Sequence, residues 1–531
     1  MFVFQENELE RILDIIITRM TPQRSPLQKP VPANLLFLSA RYAHYHASPE
    51  LLATLLDTAM DKINDVVERQ QWDMAMLAFW VSNTTLLLHY LKKDPGLLES
   101  TVEFQLHLAE LVNEIFILII RDAERRMNKV LDAAMLDHET IPGLEDVHFQ
   151  NEWKLFRTKS KAKPPEPAEK RFRPPSPRRR AQVSPRTVTS LLSSTLFVLD
   201  LYDVHSVITT QILGQLFYWL GAELFNRIMS TKRYLARTKA MQIRMNVSTL
   251  EDWARVTNRQ PEHYENGSTL CTGESTAEAA RRHLAPVIQL LQWLQCFSSL
   301  GDDFGSLVTT LLQLQQLTPA QLLQAAKSYR PEVGEKGLTK AATKFLVDLK
   351  RDPDLLYREQ WKLEEAEAEA SKKQEDENNN SNKNNGESQT QQGNGSQASS
   401  SETQQQQPNS EQQQQNKEES GKQKERAAAA EALTSQARQS STSAESSTAN
   451  RPPSPASTIS ISGRPESWAK AEMESTSVFL DPALTLPFSL PTSTDMLISY
   501  GAGWGGTNRE RARKYIPTVP PEILSRLDRE A

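Results

Sequence analysis

Six apolar residues, Ile208, Ile212, Leu216, Leu220, Leu224 and Ile228, recur in steps of four along the chain. Strands rarely run beyond about ten residues, so a stripe of this length belongs to one long α-helix with a single inward face. A second segment is more demanding. Around 72–93, Met74, Leu77, Val81, Leu88 and Leu91 recur at three- and four-residue steps, with Thr84 filling the gap. Met76, Phe79, Trp80, Leu87 and Tyr90 cover its other faces. A helix apolar all round has to be surrounded by other helices, so the spacing predicts a multi-helix bundle. A third helix is predicted from about 101 to 134, with Leu108, Leu111, Val112, Ile115 and Ile119 inward.

Local signals mark helix ends. Asp94-Pro95-Gly96 stops the 72–93 helix, because proline cannot continue the hydrogen-bond ladder. Thr318-Pro319-Ala320-Gln321 reads as a capping box with proline at the first helical position. Ser248-Thr249-Leu250-Glu251 reads as another, placing a helix start at Ser248. Asp137-His138-Glu139 reads as a capped helix C-terminus, and Ile141-Pro142-Gly143 as a turn.

These signals and shifts in composition divide the 531 residues. Residues 1–158 form an N-terminal helical subdomain. Residues 159–186 hold seven prolines, ten Lys or Arg and two acidic residues, which predicts a disordered basic linker. Helical pattern returns over 187–352. Residues 353–465 turn charged and then low in complexity, with a solvated helix over Trp361–Lys373 and predicted disorder over 374–450. From 466 to 531, Trp468, Phe479, Leu480, Leu484, Leu486, Phe488 and Leu490 supply apolar anchors for a return to the helical domain.

Several function classes are disfavoured. A net charge of −5 does not fit a whole-chain nucleic-acid binder. Two cysteines, Cys271 and Cys296, are too few for a disulfide framework or a structural zinc site and suit a reducing compartment. The N-terminus turns acidic by residue 6, unlike a signal peptide. The most continuous apolar run, Leu111–Ile120, is broken by Asn113 and Glu114 and falls short of a membrane span. HExxH, CxxC, GxSxG and GxxxxGK[ST] are all missing from the sequence. His44 and His46 have no nearby third ligand. Gly501, Gly503 and Gly506 match G-x-G-x-x-G, but no strand-turn-helix context surrounds them. The reading is a non-enzyme with no catalytic, cofactor or metal residues, and no cofactor.

Two features remain as candidate sites. Arg178, Arg179 and Arg180 form a basic run suited to an anionic membrane surface or an acidic protein. Ser176, Ser184 and Ser454 each precede proline and are candidate phosphosites, where phosphate would reduce local positive charge.

Five segments, taken in order, resemble one family. They are Phe79-Trp80-Val81-Ser82-Asn83-Thr84, Met135-Leu136-Asp137-His138-Glu139-Thr140-Ile141, Met241 through Ser248 with Leu250, Glu251 and Trp253, Pro286–Gln295, and Leu317–Gln321 ending at Tyr329 and Pro331. Together they are similar to the dilute (DIL) domain of the globular tail of class V myosins, here without a motor. The resemblance implies an all-α fold, an elongated rod of stacked helical bundles with disordered inserts. It implies a cytoplasmic, non-catalytic scaffold that binds protein adaptors or a small GTPase, associated with vesicles or the cell cortex, with no nucleic acid as partner. Trp80, Asn83, Asn246 and Trp253 are then fold residues. The Gln/Asn- and Ser-rich tract suggests a fungal protein. Fungal members often carry ankyrin repeats ahead of this region, so an N-terminal part could be missing from the chain.

Overall fold

The computed structural model describes residues 1–139, 141, 149, 183–265, 268–271, 273–300, 303–386, 478–492 and 517–529. They fall into two compact units, residues 1–364 with 465–531, and residues 365–464.

The first unit opens with α1 (Leu9–Leu13), which continues as a π-helical turn over Asp14–Thr18, followed by α2 (Val31–His46) and α3 (Pro49–Arg69). Then come α4 (Met74–Lys93), α5 (Pro95–Ser100) and α6 (Val102–Asn128), with a second π-helical turn over Asp132–Leu136. Asp94 serves two helices at once. It ends α4 and caps α5, its carboxylate accepting from the Gly96 and Leu97 N–H groups at 3.2 and 3.3 Å. As the pattern predicts, α4 is buried on nearly every face, between α2 and α6. By length and composition α4 could cross a membrane, but it is enclosed by its neighbours as a core helix is.

After residue 183 the chain forms α7 (Pro185–Leu201), α8 (Ser206–Ser230), α9 (Arg237–Val256), α10 (Thr276–Cys296), α11 (Phe304–Gln313), α12 (Pro319–Ser328) and α13 (Lys340–Arg351). The six-residue stripe of α8 is fully buried. It faces α10 and α6. At Gly221 the α8 backbone comes so near α10 that an added Cβ would sit 2.1 Å from the His283 carbonyl oxygen. Only glycine permits that approach. A continuous apolar core joins the helices before the 159–186 tract to those after it.

Two findings correct the sequence reading, and a third adds to it. Ser248 does not start a helix. It lies inside α9, its hydroxyl donates to the Met245 carbonyl at 2.8 Å, and Glu251 pairs instead with Arg244 at 2.7 Å. The S-x-x-E pattern is local, and the helix simply runs through it. The fold is all-α, with one antiparallel hairpin among the described residues, β1 (Glu262–Glu265) and β2 (Ser268–Cys271), between α9 and α10. Helix α7 begins at Pro185, inside the stretch read as linker, with Ser184 as its N-cap. The capping box at Thr318 is present, with Gln321 N–H donating to Thr318 Oγ1 and Thr318 N–H to Gln321 Oε1.

Helix α14 (Leu355–Gly386) leaves the first unit and forms the described part of the second. From Glu364 to Lys373 its side chains are exposed. The last described helix, α15 (Pro521–Arg529), returns to the N-terminal helices. Leu527 is buried, Arg11 donates to the Leu527 carbonyl at 2.6 Å, and Asn34 Nδ2 donates to the Thr518 carbonyl at 2.8 Å. Trp468, Pro142 and Gly143, and the three glycines at 501, 503 and 506, lie outside the described residues.

Candidate peptide-docking face on helix α8

Three residues beyond members of the buried α8 stripe stand Gln211 and Gln215, with Tyr218 and Asn226 further along. At 100° per residue these four side chains fall within about 80° of one another, on one face beside the start of the stripe. This second row therefore emerges at the edge of the core, where a polar side chain can reach past the apolar floor.

Residues 478–492, Val-Phe-Leu-Asp-Pro-Ala-Leu-Thr-Leu-Pro-Phe-Ser-Leu-Pro-Thr, lie along this row. Pro482, Pro487 and Pro491 preclude helix and bias the preceding residues to extended backbone. The segment has no helix or strand, so its backbone groups must find partners elsewhere. Side-chain amides of α8 supply them in pairs. Asn226 Nδ2 donates to the Leu480 carbonyl at 2.8 Å, and Leu480 N–H donates back to Asn226 Oδ1 at 2.9 Å. Gln215 Nε2 donates to the Leu484 carbonyl and Leu486 N–H returns to Gln215 Oε1, both at 2.8 Å. Gln211 repeats the arrangement on Ser489, at 2.8 and 2.7 Å. Tyr218 donates to the Asp481 carbonyl at 2.7 Å. Gln321, while closing its own capping box, donates to the Val478 carbonyl at 3.1 Å.

The segment runs antiparallel to α8. Gln211 and Asn226 are separated by about 22 Å of helix. Leu480 to Ser489 would span about 28–30 Å fully extended. The turn at Asp481–Ala483 takes up the difference, with Ala483 N–H donating to Asp481 Oδ1 at 2.9 Å. Burial, and then the Asp481 carboxylate, raise the Tyr218 pKa, which keeps the phenol protonated as a donor.

Side chains of the segment contribute through half-buried Leu480, Phe488 and Leu490. The Phe488 ring lies on Phe116 of α6, centroids 4.3 Å apart. Phe479 and Leu484 remain 48% and 49% exposed. Recognition is thus mainly of main chain, with an aromatic pocket at one end. Of these groups the sequence reading found the apolar anchors and missed the amides. Gln211 and Gln215, four apart beside the apolar stripe, are the only local trace of the row, and by themselves they resemble solvated residues.

Arg178, Arg179, Arg180, Ser176 and Ser454 lie outside the described residues. Ser184 N–H donates to Thr187 Oγ1 at 3.2 Å at the start of α7. The residues that carry the family resemblance come together as structure. Asn246, fully buried, donates to the Met135 and His138 carbonyls at 3.0 and 2.9 Å. Gln242 accepts from Ile141 N–H at 2.9 Å, and Tyr234 donates to Asp137 at 3.0 Å. Asn83 donates to the Lys29 and Phe79 carbonyls and accepts from Ala33 N–H. Trp253 donates to Ser193, and Trp80 is buried in the core. His44 sits on α2 within 3.3 Å of Ser100 Oγ. Among the described residues no group of three or more His, Cys, Asp or Glu is placed to hold a metal. Cys296 is partly buried, with its thiol pKa pushed up to about 11 by burial, so it is not primed as a nucleophile.

Residues 211–333 match the family model of the DIL domain. That span begins at Gln211 and includes α8 from there on, α9, α10, α11 and α12. A dilute domain-containing protein of Schizosaccharomyces pombe is 36% identical over 355 residues, covering 66% of this chain and 58% of its own length. Another, from Saccharomyces cerevisiae, is 22% identical over 485 residues, covering 68% of this chain and 54% of its own. The chain thus spans a little over half the length of these fungal relatives. Among solved structures, a yeast myosin 5 cargo-binding domain aligns with a TM-score of 0.49 at 14% identity, over 66% of this chain and 85% of that one. The match to the dilute (DIL) domain thus lies within a helical unit that extends beyond it on both sides.

Proposed function

We propose that the protein is a non-catalytic scaffold that docks adaptor proteins in the cytoplasm, in vesicle traffic, polarity or cytoskeletal linkage. The observation that carries this reading is the amide row of α8, which holds an extended chain by its backbone. That is how surfaces built for peptide segments work, with main-chain hydrogen bonds giving affinity and side pockets giving selectivity. A small GTPase, the other partner class, presents a folded surface and is less suited to such a row. The test is affinity capture with the full chain from a lysate of a dilute-domain-bearing fungus, followed by direct titration of each recovered protein after purification. The reading expects at least one saturable partner at micromolar affinity or better. Recovery of chaperones and ribosomal proteins alone, with no titratable partner, would reject it.

A further inference from the structure

We infer that residues 478–492 are a displaceable internal occupant of the α8 row, and that an extended, proline-bearing, weakly charged segment of an adaptor takes their place. This rests on the scaffold reading above and specifies its site and regulation.

Three observations support displacement. The hold on the segment is largely polar. The amides of Gln211, Gln215 and Asn226 exchange hydrogen bonds with backbone groups, and water can satisfy both sides when the segment leaves. The segment also buries none of its large side chains completely, so little apolar area opposes release. Finally, the C-terminal end of the chain is held independently of the segment. Helix α15 docks on α1 and α2 through Arg11, Asn34 and Leu527. In sequence, residues 387–477 and 493–516 separate the segment from the described helices on either side, α14 and α15.

The occupant's chemistry follows from the row. Backbone pairing is required at three points, Leu480, Leu484/Leu486 and Ser489, so prolines must avoid those N–H positions, as Pro482, Pro487 and Pro491 do. An aromatic or large aliphatic residue is wanted at the Phe488 position, over Phe116. Being tethered, the internal segment competes at an effective concentration of order millimolar for a short flexible linker and lower for a long one. It therefore acts as a threshold that screens out weak ligands.

The experiment uses the full chain and a variant with 478–492 replaced by a Gly/Ser stretch of equal length, titrated with a fluorescent peptide of residues 478–492. The peptide should bind the replaced chain at least tenfold more tightly than the intact one. N-methylation at Leu480, Leu486 and Ser489 should weaken it at least tenfold, because it removes the donors and keeps the side chains. Equal binding to both chains, or an unaffected N-methylated peptide, would overturn the inference. So would an intact dimer that becomes monomeric on replacement, since the segment would then be exchanged between copies. Should the replaced chain not fold, the intact chain carrying Q211A, Q215A and N226A serves. Hydrogen exchange over 478–492 should quicken there while α8 stays protected, and unchanged exchange would overturn the inference. An adaptor that binds intact and replaced chains equally removes the groove and leaves the scaffold. Peptide binding without any adaptor removes the scaffold and leaves the groove.

Discussion

Replacing Asn246 by alanine should be among the most destabilising polar changes in the fold. The side chain is fully buried on α9, and its Nδ2 donates to two carbonyls, Met135 and His138, where the 132–136 turn ends. A helix end leaves carbonyls without intrahelical donors, and a buried one must be served by a side chain. Alanine removes both donors and leaves the carbonyls dry. Each unsatisfied buried group costs about 1–3 kcal/mol, so the expected loss is about 2–4 kcal/mol. Asn246→Asp should cost at least as much, because it keeps the volume but buries a charge against two carbonyls. Urea unfolding, followed by tryptophan fluorescence, gives the midpoint and slope. The prediction is a lower midpoint with an unchanged slope, the signature of a stability change alone. A loss below about 0.5 kcal/mol would refute the reasoning, as surface substitutions away from such features produce changes of that size.

Other substitutions test other parts of the account. Gly221→Ala places a Cβ 2.1 Å from the His283 carbonyl and should cost about 1–3 kcal/mol by forcing α8 and α10 apart; an unchanged unfolding midpoint would contradict the close approach. Burial, against the pull of Arg121 and with a smaller push from the Glu223 charge, raises the Glu124 carboxyl to about 7. The folded state then holds its proton longer than the unfolded one, so stability falls as pH rises from about 4.5 to 7. Glu124→Gln should remove that slope and add about 1 kcal/mol at pH 8, after allowing for partial solvent screening, with no gain at pH 4; equal gains at both would refute it. The basic run is proposed to contact anionic lipid. Sedimentation with phosphatidylserine vesicles should fall with salt and be lost in R178A/R179A/R180A, and binding unchanged in that variant would sink the idea.

Much of the helical scaffold was legible because burial writes itself in periodicity. The α8 stripe and the all-round apolar α4 admit few other folds, and Thr318-Pro319 announces α12 by chemistry that acts within one turn. The failures share a cause. At Ser248 a local pattern suggested a helix start, but nothing nearby breaks the helix before it, and the tertiary setting carried α9 through. The hairpin at 262–271 had a usable signal in Asn266-Gly267, a dipeptide favoured between paired strands. The docking face was the least legible. A glutamine at the margin of an amphipathic helix looks like any solvated residue, and only the arrival of 478–492, more than 250 positions later, gives it a role. The proline-leucine segment likewise reads as loop until its partner is known. Short-range rules see neither half of such a contact.

The most direct measurement is the affinity of a captured adaptor for the full chain and for the Q211A/Q215A/N226A variant, with both chains checked for equal thermal unfolding. If the α8 row docks the adaptor, the variant should bind at least tenfold more weakly while unfolding within a few degrees of the parent. Equal affinity in a folded variant would contradict the account and move the docking surface elsewhere on the molecule.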